Sequence, residues 1–239
     1  MIEKIDNPEI LLEWDLRDIY SVRILALLKS YGCKYHFCSF YRQVIDGKTT
    51  AVLSKLDKDV TLALKEGFDA EELIHFLCVT GYDSLLCDEC FELGADYTEG
   101  FVMKCNTKRD AIIQGAYVDE YPKLMDLFNF VDYSSGDFKA WYVDLSHRVR
   151  HKTAKAYTLN IDDEIISSGI LSSIIKDYSI LTAVRTKEEF RGMGYGSFLI
   201  KYIYSDVNGT VYIMRDRDLN ESFYLNLGFE NIGKWRMYK

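Results

Sequence analysis

The chain has 239 residues, 48% of them hydrophobic and 28% charged, with a formal net charge of -8 and a mean hydropathy of -0.13. That is enough apolar material for a buried core, and it argues against disorder. No apolar run approaches the roughly 18–20 residues of a membrane helix. The MIEKIDNPE start does not read as a secretory signal, and the acidity disfavours general nucleic-acid binding, which depends on many phosphate contacts. The expectation is a cytoplasmic protein with neither membrane nor nucleic acid as a partner.

In chain order, the first 30 residues read as helix. Ile10, Leu11, Trp14, Ile19, Val22, Leu25 and Leu28 recur at mostly three- and four-residue spacing, and Gly32 supplies a stop. A meander follows: Tyr35 to Val44, an Asp46-Gly47 turn, Thr49 to Leu56, then Val60 to Leu64. Asp69 with Glu72 makes a capping-box pattern for a helix from Ala70 to Val79. Ser84 to Cys87 reads as a strand, and one or two more are expected within 94–106.

A second series starts near residue 120. Helices are expected at Tyr121 to Phe128 and Phe138 to Leu145, then strands at Lys155 to Asn160, Ile165 to Ile175 and Ser179 to Val184. The glycine-rich stretch 191–196 opens a helix, Ser197 to Tyr204. Thr210 to Met214 reads as a strand, Leu219 to Leu227 as a helix, and Phe229 to the end as a hairpin. Both halves thus share one order of helix, three-stranded meander, helix and strand, which suggests a duplication with a boundary near 110. The alternative is a single α/β protein with an unrelated N-terminal domain.

Charge and cysteines divide the same way. Residues 1–110 hold 13 Lys and Arg against 20 Asp and Glu, whereas residues 111–239 hold 16 against 17. The second half is the better host for an anionic ligand. All six cysteines (Cys33, Cys38, Cys78, Cys87, Cys90 and Cys105) lie in the first half and read as reduced thiols. The C-D-E-C at Cys87 and Cys90 is compatible with half a zinc site. Its only complement is Cys33 and Cys38, without metal-knuckle flanks, so no metal is expected.

The stretch Ile180 to Ile200 carries the chemistry. Glycines at 192, 194 and 196 let successive backbone N–H groups converge, and the following helix N-terminus adds partial positive charge. Together these suit a diphosphate. The spacing fails the dinucleotide G-x-G-x-x-G and the G-x4-G-K-[ST] loop. What remains is R-x-x-G-x-G, filled by Arg191, Gly194 and Gly196, which resembles the GNAT superfamily of acyl-CoA-dependent N-acyltransferases. Val184, Thr186 and Arg191 resemble that family's fourth strand and loop, although Glu188 stands where many members have proline. Asn220 to Phe229 resembles its N-x-x-F-Y-x-x-x-G-F segment. The likeness covers roughly residues 115–239.

The resemblance implies a mixed, mostly antiparallel sheet flanked by helices, and two such domains in tandem. Residues 111–239 would form the acetyl-CoA-binding catalytic domain and 1–110 a degenerate copy, with Glu66-Gly67-Phe68-Asp69 in place of a cofactor loop. It also implies that Ala183, Val184 and Thr186 hydrogen-bond the pantetheine arm, that residues Gly192, Met193, Gly194, Tyr195, Gly196 and Ser197 hold the diphosphate beside Arg191, and that Asn220 and Phe223 line the channel. Tyr224 takes the position of the usual acid, and a backbone N–H near Val184 that of the oxyanion donor. The reaction would be direct attack on the acetyl thioester by a primary amine of a small molecule or peptide. A CoA-binding sensor or partner-binding module on the same fold is the rival reading. Glu188 and Glu189 read as a solvated loop face, Asp177 as a turn residue and 147–152 as an exposed basic loop. No general base is assigned, and oligomeric state, acyl preference and acceptor stay open.

Overall fold

A computed structural model describes residues 1–239 apart from 12, 13, 16, 107–116, 133–136 and 208. The expected boundary between 110 and 111 lies outside the described residues. The elements in order are β1 (Ile2–Lys4), a 3-10 turn (Pro8–Leu11), α1 (Ile19–Tyr31), β2 (Cys38–Ile45), β3 (Lys48–Leu56), β4 (Asp59–Leu64), α2 (Ala70–Thr80), β5 (Ser84–Asp88) and β6 (Tyr97–Asn106). Then come β7 (Tyr117–Asp119), α3 (Leu124–Val131), α4 (Phe138–Arg150), β8 (Lys155–Ile161), β9 (Glu164–Ile175), β10 (Tyr178–Thr186), a 3-10 turn (Glu188–Phe190), α5 (Tyr195–Asp206), β11 (Thr210–Asp216), α6 (Glu221–Asn226) and β12 (Glu230–Tyr238). They form two compact units. Unit 1 is Met1–Met103 with Met214–Glu221 and Asn231–Lys239, and unit 2 is Lys104–Ile213 with Ser222–Glu230.

In unit 1 the strands run β1-β2-β3-β4-β5-β12-β6. The meander β2-β3-β4 is antiparallel, and β5 returns parallel to β4 after α2. Ala51, Leu53, Val60 and Leu62 turn one face of these strands toward Leu73 and Leu77 of α2. The expected helix over the first 30 residues is shorter than its periodicity suggested. Pro8 starts a 3-10 turn, and α1 begins only after Asp18, whose carboxylate accepts the Ser21 N–H at 2.7 Å. The expected C-terminal hairpin is one strand: Trp235 to Tyr238 pair antiparallel with Asp88 to Leu85 of β5. Its partner lies some 150 residues back in the chain, beyond the reach of any local turn signal.

Unit 2 repeats the order. β8-β9-β10 is an antiparallel meander, and β11 returns parallel to β10 after α5, in the sequence β11-β10-β9-β8-β7. Helices cover both faces. Leu127 of α3 and Leu145 of α4 pack on Ala156, Ile170 and Ala183. On the other face, a Cβ added at Gly169 would stand 2.8 Å from Ile203 of α5. The helix expected at 121–128 starts three residues later, after Pro122 and Lys123, and of the basic run expected as a loop, 147–150 form the last turn of α4 while His151 and Lys152 follow it as a turn. There the charges of Arg148 and Arg150 meet the negative end of the helix dipole.

One polar cluster ties β7 and β8 to α5. The Lys155 ammonium bridges Glu120 Oε2 at 2.7 Å and Asp206 Oδ2 at 2.6 Å, while the Tyr202 and Tyr157 hydroxyls donate to the same two carboxylates. Burial pulls the Lys155 pKa down, but the two carboxylates outweigh it and hold it above its ordinary value. The hydrogen bond from Lys155, with that from Tyr202, lowers the pKa of Glu120. Its contribution to stability is therefore present above the ordinary Glu pKa and fades as pH falls. Replacing Lys155 with methionine would leave the two carboxylates facing each other. The expected cost is about 1–3 kcal/mol, read by urea unfolding.

Candidate functional site

The site in unit 2 is built on β10. Its parallel register with β11 covers only Tyr178↔Thr210, Ser179↔Val211 and Ile180↔Tyr212, while β10 itself continues to Thr186. Across β9, the register steps from Thr182↔Ile170 to Arg185↔Ser168. Ala183 and Val184 thus form a bulge, with Ala183 at φ 53°, a left-handed conformation uncommon for a residue bearing a Cβ. Two side chains hold it open. Ser168 Oγ donates to the Ala183 carbonyl at 2.8 Å, and Ser167 Oγ to the Arg185 carbonyl at 3.0 Å. The sequence reading passed over both serines; the Ser167-Ser168-Gly169 triplet opposite the bulge was the available signal.

Beyond β10, the 3-10 turn leads into Gly192 at φ 77° and Gly194 at φ 88°. Those angles are why glycine stands at both places. α1, α2 and α4 are each capped by an aspartate side chain, whereas α5 begins at Gly194 with no side-chain cap. Its first-turn N–H groups are left for another partner. Gly196 is needed for a different reason: a Cβ there would lie 2.8 Å from Thr186 Oγ1 and 3.6 Å from the Phe223 ring. The Thr186 hydroxyl also shares a 3.0 Å hydrogen bond with Ser167 Oγ. The helix start, the end of β10 and Phe223 thereby close on one another.

Tyr224 packs edge-on against Phe223 at 5.1 Å and Phe229 at 5.5 Å between centroids. Burial pushes its phenol up to about 12. Arg191 is exposed and folds back, its Nε–H donating to the Thr186 carbonyl at 3.2 Å. Met193 is exposed, while Tyr195 and Ser197 are half-buried. Thus Thr186, Arg191, Gly196, Phe223 and Tyr224 gather round the loop, and Ala183 and Val184 sit two to three residues up the strand. Asn220 is at φ 59° and falls in unit 1. Asp177 is exposed in the turn at the far end of β10, about 30 Å of strand from Thr186. Glu188 and Glu189 are exposed in the 3-10 turn, with Glu189 paired to Lys187 at 2.6 Å. Among the described residues no group of three or more His, Cys, Asp or Glu is placed to hold a metal ion.

The family model described as FR47-like protein matches residues 168–238, the segment from the bulge-holding Ser168 to the end of β12. No curated protein sequence matches the chain. Among solved structures, a GCN5-related N-acetyltransferase from Kribbella flavida aligns at TM-score 0.61 and 13% identity, over 92% of this chain and 93% of its own. A Drosophila protein aligns at 0.68 and 12%, over 99% and 97%. A tandem GNAT protein from the clavulanic acid biosynthesis pathway aligns at 0.58 and 13%, over 91% and 86%. At such identities the likeness is one of fold. The chain carries the GCN5-related N-acetyltransferase fold in tandem form, with its FR47-like segment at residues 168–238.

Proposed function

We propose that the chain is an N-acetyltransferase that moves an acetyl group from acetyl-CoA to a primary amine of a small molecule or peptide by direct attack. The observation that carries this reading is the uncapped, glycine-built start of α5 beside the free length of β10 and its bulge. N–H groups of residues 192–197 would hold the diphosphate with Arg191, and backbone groups of Ala183, Val184 and Thr186 would hydrogen-bond the pantetheine arm. An N–H at Val184 would meet the charge that develops on the acetyl oxygen. Tyr224, a phenol protonated at neutral pH whose pKa burial raises further, would give its proton to the departing thiolate. The amine must arrive neutral, and no carboxylate of the loop is placed as its base; water or prior deprotonation serves.

Among the described residues of unit 1, the matching helix start is differently built. At the matching helix, α2, the Asp69 carboxylate accepts the Glu72 N–H at 3.1 Å, and Glu71 and Glu72 fill the first turn. Gln43, fully buried, bonds both the Asp69 carbonyl and N–H and fixes that arrangement. A diphosphate would meet three carboxylates there instead of free N–H groups. We therefore assign the catalytic domain to the second half and one cofactor site to the chain. A panel of primary amines incubated with acetyl-CoA, followed by release of free thiol, tests the activity. Amine-dependent thiol release is the expected result. Acetyl-CoA binding with no turnover on any amine would favour the sensor reading.

A further inference from the structure

We propose that Ser168 is a positioning residue for acetyl transfer: its hydroxyl aims the Val184 N–H, the donor assigned to the acetyl oxygen. The inference rests on the acetyl-transfer reading and adds to it a side chain outside β10 and outside the glycine loop. Ser168 lies on β9, is 1% exposed, and donates from Oγ to the Ala183 carbonyl at 2.8 Å. The Ala183 carbonyl and the Val184 N–H belong to one peptide unit. That peptide is trans and planar, so its C=O and N–H point in opposite directions. A carbonyl turned toward a β9 side chain therefore sends the N–H away from β9, to the side that β11 has left. β11 keeps register with β10 only as far as Ile180, and neither Ala183 nor Val184 has a partner in the register with β9.

The pose has to be held. Ala183 at φ 53° is strained for a residue bearing a Cβ. Relaxing it to an ordinary β conformation rotates this peptide, and the N–H turns with it. Several contacts oppose that rotation. The Ala183 methyl packs in the cluster of Leu127, Leu145 and Ile170. Ser167 Oγ holds the Arg185 carbonyl at 3.0 Å, and the Arg185 guanidinium donates to the Val131 carbonyl at 2.8 Å. Ser168 alone among these side chains bonds the peptide that carries the Val184 N–H. A hydrogen bond accepted at the carbonyl also polarises the N–H of the same peptide, which then donates more strongly.

The test compares the wild-type chain with Ser168→Ala and Ser168→Cys. A thiol donates only weakly; cysteine keeps the side-chain volume, so it carries the test if alanine fails to fold. The readouts are kcat with the fastest amine of the panel, affinity for S-ethyl-CoA, and the infrared carbonyl band of bound acetyl-CoA isotope-labelled at the thioester carbon. S-Ethyl-CoA has the whole cofactor but no carbonyl oxygen. Both variants should lose about 10–100-fold in kcat, the scale of a displaced oxyanion donor. Their carbonyl band should move back toward that of free acetyl-CoA, while affinity for S-ethyl-CoA stays unchanged. Wild-type kcat and carbonyl band in either variant would overturn the proposal. So would a parallel loss of S-ethyl-CoA affinity, which marks a structural role only. A wild-type chain without turnover on any amine overturns the acetyl-transfer reading and this inference together. Normal wild-type turnover with unaffected variants overturns this inference alone.

Discussion

Gly196→Val is expected to raise the dissociation constant for acetyl-CoA by about 10–100-fold, the equivalent of roughly 1.4–2.8 kcal/mol. The added Cβ alone would come within 2.8 Å of Thr186 Oγ1. The two methyl groups beyond it would meet either that strand end or Phe223. Relief requires the first turn of α5 to lift off β10, which displaces the N–H groups assigned to the diphosphate. Overpacking of this kind also costs about 1–3 kcal/mol of stability, so binding must be compared at a temperature where both proteins are folded. Gly192→Ala is the informative control. Nothing lies within 4 Å of the position its Cβ would take, and only the strain of φ 77° opposes it. A stability loss of about 1 kcal/mol with a much smaller change in affinity is expected there. If Gly192→Ala and Gly196→Val weakened binding equally, contact at residue 196 would not be what positions the loop.

The second large effect belongs to Tyr224→Phe. With the phenol gone, kcat should fall by about 100–10,000-fold on the scale of general-acid contributions. The KM for acetyl-CoA should barely change, because the Tyr224 hydroxyl is assigned a role in proton transfer and not in holding the diphosphate. Its ring packs on Phe223 and Phe229, and phenylalanine keeps those contacts. The pH profile supplies a separate check. Burial moves the phenol from its usual value near 10 up to about 12. The acid therefore keeps its proton through pH 10, and the wild-type rate should not fall with Tyr224 ionisation until higher pH. The same shift acts on stability. Its contribution is fully present below the unfolded pKa near 10 and is lost as pH rises toward 12. Unchanged kcat in Tyr224→Phe would leave the residue as a packing group only.

Much of unit 2 was legible because its signals are local. Asp162 and Asp163, both at positive φ, make the tight turn in the short gap between the strands expected at 155–160 and 165–175. The alternate glycines at 192, 194 and 196 mark the start of α5 because two need left-handed backbone and the third needs the absence of a Cβ. What the sequence hid is non-local or held by tertiary contact. The pairing of β12 with β5 is set by burial of residues such as Tyr238 in the unit 1 core, and no short-range pattern encodes it. The left-handed Ala183 gives no sign in composition, since it is Ser168 on the neighbouring strand that holds its carbonyl.

The account stands most directly on whether the amide-lined start of α5 grips coenzyme A. Isothermal titration of acetyl-CoA into the wild-type chain, run beside Gly196→Val, measures this. The account predicts one site per chain, lost or greatly weakened in the valine variant. No heat of binding to the wild type, two equivalent sites per chain, or full-strength binding to Gly196→Val would contradict it.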